Sequence, residues 1–313
     1  MIYLKIVIQA SINIFCYFCI GKDISEKEFY MASFSEDSRV KFPTIMHLMG
    51  MGYKYISQKG LYSKYVNAPK TDYDPRTNIL LSYFNEAYRK LNHDAAEDGA
   101  EKMLARIQTV LSNDDLGRQF YKEVLLNTEE RIIDLSSPFN FAHNNTFQVA
   151  TEMTCGDKDG DNYRPDITLF INGLPLAFIE VKKENNHKGI QAETERMKVR
   201  FQNPAFRRYL NITQIMVFSN DMEYDCNEVT PTIGAFYATI GKKDTKYNCF
   251  REDGQDSFPV ARNIVPVSES DEEILLRDNN VPQYRNSSEY QTNCRANTPT
   301  KRICDSLFSF ERF

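Results

Sequence analysis

YRPDITLFINGLPLAFIEVKK, residues 163–183, is two apolar runs joined by Asn172-Gly173, with charges at the outer ends. Each run is too short for a convincing helix and is rich in Ile, Leu, Phe and Val, which argues for paired strands. Asn-Gly between two such runs signals a hairpin, because a tight turn needs positive φ at its central residues. Asp166 opens the first strand; Glu180 and Lys182 close the second. A two-residue turn sets Asp166 against Ile179 and sends Glu180 to the other face. A three-residue loop through Leu174, or a bulge with the same effect, sets Asp166 against Glu180, and this second register is the expected one. Strand alternation then groups Asp166, Glu180 and Lys182 on one face and Ile167, Leu169, Ile171, Ala177, Ile179 and Val181 on the other. Leu176 and Phe178, expected on the charged face, make that side apolar as well. Such strands belong to a sheet covered on both faces.

Two carboxylates gathered at one strand end repel each other, and leaving bulk water adds to the cost. A divalent cation relieves both. Mg²⁺ takes hard oxygen ligands, one or two carboxylates among them, and keeps several waters. It acidifies a bound water and stabilises charge on a phosphate under attack, while Lys182 can orient that water or neutralise the developing charge. The pattern points to metal-dependent phosphodiester hydrolysis. The bland reading makes Asp166 a turn cap and Glu180–Lys182 a surface ion pair; the hairpin register and the apolar strands favour the metal.

Pro165-Asp166, thirteen residues, then Glu180-Val181-Lys182 resembles the PD-(D/E)xK nuclease signature. The longer string RPDITLFINGLPLAFIEVKK resembles one branch of that superfamily, the N-terminal nuclease domain of the restriction (R, motor) subunit of type I restriction enzymes. The similarity extends upstream through SEDSRVKFPTIMHLMGMGYKYIS and FNFAHNNTFQVATEMT, and downstream through RYLNITQIMVFSNDMEYD and GAFYATI, covering about residues 33–262. It implies a restriction-endonuclease-like α/β fold, a mixed central sheet of about five strands flanked by helices. It implies Mg²⁺-dependent cleavage of double-stranded DNA with Asp166, Glu180 and Lys182 as catalytic residues. The metal ligands would be Asp166, Glu180 and the backbone carbonyl of Val181, with Glu152 a candidate third acid. The implied partners are DNA and the methylation and specificity subunits of a type I complex. The alternatives are a non-catalytic R-subunit fragment that binds DNA or the methylase core, and a repair nuclease from elsewhere in the superfamily.

The chain has 313 residues, 42% of them hydrophobic, and a net charge of −5. That suits one large or two small domains with an ample core, and confines any DNA contact to a local patch. From Lys182 to Arg208 eight Lys/Arg face three Glu, on a helix expected over 189–209. Lys183, Lys188, Gln191, Arg196 and Arg200 are the candidate DNA contacts, holding phosphates without reading sequence. The QxxxY motif frequent in type I subunits is absent: Glu195 follows Gln191 and Phe206 follows Gln202.

Further helices are expected over residues 35–52, 77–92, 97–111 and 114–126, and strands at 131–135, 146–153, 212–218 and 234–240, with a Tyr-rich strand after Gly52. The domain boundaries read as an extension over 1–31, an N-terminal subdomain over 32–75, the nuclease domain over 76–262, and a solvated linker over 263–313 toward a motor. No GxxxxGK[ST] phosphate loop occurs, so no ATPase is expected in this chain. Residues 2–20 are mostly apolar, but Lys5, Gln9, Ser11 and Asn13 interrupt them, so residues 1–30 read as an upstream extension rather than a membrane anchor. Seven scattered cysteines form no disulfide framework, which suits a reducing cytoplasm. The four histidines sit at no ligand spacing, which argues against zinc.

Overall fold

The computed structural model describes residues 35–57, 73–156, 160–183, 189–223, 234–240, 245–250 and 264–308, all within one compact unit, Phe34–Phe313. The reading of residues 1–30 as an extension lies outside the described residues. The chain enters through a wide helical turn, Asp37–Lys41, that runs into α1 (Phe42–Gly50). Pro43 sits in the first turn of α1, where a missing N–H is tolerated. Phe42, Ile45 and Leu48 point into the core. The edge strand β1 (Lys54–Tyr55) follows.

Helix α2 (Leu81–Leu91) starts later than its apolar periodicity predicts. Asn78 has φ 58°, and the Asp74 carboxylate accepts from Arg76 N and Thr77 Oγ1, both at 3.0 Å, holding this stretch as a turn. α3 (Gly99–Val110) and the short α4 (Arg118–Phe120), which widens into Tyr121–Leu125, lie where expected. Residues 131–135 are not a strand. Asparagines serve their backbone instead of a ladder: Asn92 accepts from Arg131 N at 2.9 Å, Asn145 accepts from Asp134 N at 2.9 Å, and Asn172 donates to Ile132 O at 2.9 Å. Ile132 and Ile133 are buried all the same. α5 (Pro138–Asn144) follows, capped by Ser137.

The site is built by the next run: β2 (Phe147–Thr151), a small hairpin of β3 (Cys155–Gly156) and β4 (Asn162–Tyr163), then β5 (Ile167–Ile171) and β6 (Leu174–Val181). α6 (Gly189–Gln202) and α7 (Arg207–Ile212) cross over to β7 (Ile215–Ser219), followed by β8 (Ala235–Ile240) and β9 (Thr245–Cys249). Among the described residues the main sheet has seven strands rather than about five, in the order β1-β2-β5-β6-β7-β8-β9. β1/β2 and β6/β7 are parallel and the other neighbours antiparallel, so the sheet is mixed. β9 was invisible in sequence because TKYNC carries no apolar run.

The register of β5 and β6 decides where the charges meet. Ile171 pairs with Leu174, so the turn has two residues, Asn172 (φ 52°) and Gly173 (φ 77°). Phe170 pairs with Pro175 but Leu169 with Ala177, leaving Leu176 as the extra residue of a bulge. Pairing then continues to Ile167 and Ile179, which sets Asp166 level with Glu180. The expected register is reached by the bulge, not by a longer loop. The bulge also moves Leu176 off the charged face: it packs with Ile167, Ala177 and Ile179 in the largest apolar cluster. Phe178 belongs to the other face, with Met216 and Phe218, under Met197 of α6 and Tyr209 of α7.

The segment expected as a solvated linker is folded. α8 (Glu269–Asp278), α9 (Ser288–Arg295) and α10 (Pro299–Phe308) bury Leu275, Leu276, Tyr290, Ile303, Cys304 and Phe308 in the largest cluster. The acidic triplet Asp271-Glu272-Glu273 lies in the first half of α8, where the helix dipole favours acids, and Arg285 pairs with Glu272 at 3.5 Å. Among the described residues no helix is long and apolar enough to cross a membrane.

Candidate active site

Asp166 precedes β5, and Glu180 and Lys182 stand at the far end of β6, held level by the bulge. Val181 N donates to Asp166 Oδ2 at 2.9 Å, which fixes that carboxylate against the neighbouring strand. Lys182 N donates to Ser219 O at 2.8 Å, extending the parallel pairing of β6 with β7. The Lys182 ammonium lies 3.8 Å from Asp166 Oδ2 and 3.6 Å from Glu180 Oε2, and donates to the Val181 carbonyl at 2.9 Å. The side chains of Asp166, Glu180 and Lys182 are 19%, 6% and 16% exposed, so the three charges meet in a largely dry notch.

Two residues that the spacing does not reveal complete the cluster. The Tyr163 hydroxyl donates to Glu180 Oε1. Glu193, on α6 and with its side chain 2% exposed, sits 3.8 Å from the Lys182 ammonium. It accepts from Arg196 at 3.0 Å and from Arg200 at 2.7 Å. The Arg200 guanidinium lies 3.9 Å over the Tyr163 ring, closing a circuit back to Glu180. Glu193 was legible only as an acid at a position of α6 shared with Met197 and Phe201, which turn inward.

The electrostatics follow from burial. Loss of solvent, then the charges of Asp166 and Glu193, push the Glu180 carboxyl well above the usual carboxylate range; Lys182 and the Tyr163 hydroxyl pull the other way. Burial alone would lower Lys182, but Asp166, Glu180, Glu193 and Glu36 outweigh it and raise its amine above the ordinary value. Glu36, just ahead of the first helical turn, is raised by burial, lowered by Lys182 and raised again by Asp166. It is therefore a third residue of the site's surroundings that no motif marks.

The other predicted residues divide. Glu152 does not join the acids. Its backbone N donates to Asp166 O at 3.2 Å, but φ at Glu152 is 44°, and its carboxylate pairs with Lys41. Strand alternation, which would aim it, ends at that residue. Lys183, next in the chain to Lys182, and Gln191, on α6, are exposed, and Lys188 lies outside the described residues. Arg196 and Arg200 are on the right helix but are both committed to Glu193. Lys198 pairs with Glu195, and Arg207 with Asp114, so much of the basic stretch is internally compensated.

Among the described residues no group of three or more His, Cys, Asp or Glu converges as a metal-holding cluster. The donor set is two carboxylates and the Val181 carbonyl, all hard oxygens, and a cation already stands at them in the form of the Lys182 ammonium. That set suits Mg²⁺, which needs few protein ligands and completes its shell with water. It does not suit zinc or a soft metal.

A family model described as type I restriction enzyme R protein N terminus matches residues 33–230, a span that holds the whole notch. The chain is 27% identical over 227 residues to the "Putative type I restriction enzyme MjaIXP endonuclease subunit" of Methanocaldococcus jannaschii, covering 67% of this chain and 21% of that protein. It is 31% identical over 86 residues to the "Putative type I restriction enzyme MjaVIIIP endonuclease subunit" of the same organism, covering 28% of this chain and 8% of that protein. The chain thus spans about a fifth of the length of the first relative.

Proposed function

From a chain that belongs to the type I restriction enzyme R protein N-terminal family, we infer that the notch at the end of the β5–β6 hairpin is a Mg²⁺-dependent nuclease centre acting on double-stranded DNA. The observation that carries the reading is the convergence of Asp166, Glu180 and Lys182, within 3.8 Å of one ammonium, at the end of a buried hairpin. Asp166, Glu180 and the Val181 carbonyl would hold the metal. When bound, it supplies Lewis-acid polarisation of the phosphate and a water of lowered pKa. The chain's own groups do the rest. Tyr163 fixes the Glu180 carboxylate, and Val181 N fixes that of Asp166. Lys182 presents a positive charge to the phosphate oxygens, where negative charge grows during attack. Low exposure keeps those interactions strong.

Exposed Lys183 and Gln191, Arg196 and Arg200 of α6, and Lys188 are the proposed phosphate contacts; a duplex phosphate would draw the arginines outward from Glu193. The proposed partners of the chain are DNA and the methylation and specificity subunits of a type I complex, with site choice left to another subunit.

Supercoiled plasmid incubated with the purified chain and Mg²⁺ tests the reading. Nicking is expected with the wild type and is expected to fall by at least about a hundredfold in Asp166→Ala and in Lys182→Ala, the usual scale for a lost charge-stabilising group. Nicking that survives both substitutions would refute the assignment.

A further inference from the structure

Lys182 occupies the place that a divalent cation would need. Its ammonium donates to the Val181 carbonyl at 2.9 Å and lies 3.6 Å from Glu180 and 3.8 Å from Asp166, the three groups assigned to the metal. An ammonium and a divalent cation cannot share one set of oxygens in a poorly solvated notch, because they repel at close range. Among the described residues a further acid pairs with the ammonium, Glu193 Oε2 at 3.8 Å, while Glu36 acts on it through its charge. The Glu193 carboxylate is 2% exposed and is gripped from α6 by Arg196 and Arg200. A buried acid is costly to keep unless each oxygen has partners. A carboxylate accepts about four hydrogen bonds, so Glu193 keeps capacity for another donor.

We propose that Glu193 is the positioning residue that draws the Lys182 ammonium off the Val181 carbonyl when a divalent cation takes Asp166, Glu180 and that carbonyl. The proposal deepens the nuclease reading and rests on it. In the metal-free notch the lysine serves as the counter-ion of the acids; with the cation in place it turns to Glu193 and stays beside the phosphate. In the DNA-free notch Arg200, stacked on Tyr163 and paired with Glu193, ties Glu193 to Glu180.

The test is calorimetric titration of the full chain with Mn²⁺ in four forms: wild type, Glu193→Asp, Lys182→Met, and the double variant. Aspartate keeps the charge but withdraws it by one methylene. Mn²⁺ affinity is expected to fall by about tenfold in Glu193→Asp, the scale of one charge-assisted hydrogen bond. It is expected to differ by less than about twofold between Lys182→Met and the double variant, since nothing remains to be drawn aside. An equal loss in both backgrounds would mean that Glu193 acts by charge or packing alone, and no loss in Glu193→Asp would mean that it does not act; either overturns the proposal. Glu193→Gln runs through the same cycle should the aspartate variant fail to fold. Asp166→Asn separates the two readings. Mn²⁺ uptake that survives it, or no uptake by the wild type, removes the metal site and this proposal together. Uptake lost in Asp166→Asn with equal effects in the two lysine backgrounds removes the Glu193 proposal only.

Discussion

Glu152 shows how far a single residue can be read from a strand. It closes the run after β2, and alternation places it beside Asp166. The backbone there turns left-handed, φ 44°, and hands the carboxylate to Lys41, whose side chain is 4% exposed. Burial raises the Glu152 carboxyl, but the hydrogen bond and charge of Lys41 outweigh it and leave it below its ordinary value. Burial likewise lowers Lys41, and Asp37 with Glu152 more than restores it, leaving it raised. The signs fix the pH window. Stability from the depressed Glu152 is present above its unfolded value near pH 4.5 and is lost as pH falls through the folded one. Stability from the raised Lys41 is full below its unfolded value near 10.5 and is lost as pH rises through the folded one. Lys41→Met is therefore expected to cost about 1–3 kcal/mol at neutral pH, with the lower part of that range favoured by the half-exposed partner. Urea unfolding from pH 7 to pH 3 should show the two proteins converging; curves that stay parallel throughout would count against the pair. Asp166, Glu180 and Lys182 were legible because strand alternation is a strict period of two. Glu193 was not, because a glutamate on a charged helix looks solvated until the helix is docked.

At the scale of the hairpin, the sequence specifies the turn and leaves the bulge hidden. Asn172 and Gly173 take the positive φ values that the turn requires. The turn is buried: Asn172 accepts from Thr146 N and donates to Ile132 O and Asn145 Oδ1, all within 2.9 Å. A Cβ on Gly173 would stand 2.5 Å from Leu80 O, so only glycine fits. Nothing in LPLAF marks Leu176 as the unpaired residue, since both sheet faces are apolar and either register buries hydrophobes. Pro175 is the single hint, because proline is confined to strand positions with no ladder partner on its N–H side; the pairing of β6 with β7 begins only at Ala177. Deleting Leu176 removes the unpaired residue alone, so it is expected to close the bulge while leaving Leu169 against Ala177 and Asp166 level with Glu180. Calorimetry should then still show Mn²⁺ uptake, with the melting temperature lowered by several degrees because Leu176 leaves the apolar cluster, about what 1–2 kcal/mol costs a domain of this size. Loss of Mn²⁺ uptake by a deletion variant that still melts cooperatively would show that the strands re-pair in another register and that the count of residues across the bulge does not set the site.

At the scale of the whole molecule, sequence similarity and physical unit do not end together. The family match stops at residue 230, and the residues after 263 read as a polar, acidic linker. Yet α8–α10 are tied back across the entire chain. Val265 N donates to Gly50 O at 2.9 Å, His47 meets Asp305 at 2.7 Å, Arg39 meets Glu289 at 2.6 Å, and Tyr53 donates to Phe308 O at 3.1 Å. Ser219, which also accepts from Lys182 N through its backbone, bonds Thr300 at 2.8 Å, so α10 braces the strand end that carries the site. Mean polarity hid these helices because their apolar residues are few and well spaced: Leu275, Leu276, Tyr290, Ile303, Cys304 and Phe308 are each at most 2% exposed. Burying a large apolar side chain contributes about 1.5–3 kcal/mol, so five or six of them rival the whole stability of a domain, on the order of 5–15 kcal/mol. A chain cut after residue 263 is therefore expected to lose cooperative thermal unfolding, followed by far-UV circular dichroism, although it keeps Asp166, Glu180, Lys182 and every residue of the family match. A truncated chain that melts cooperatively within about 2 °C of the full one would show instead that the three helices are passengers on a fold complete without them.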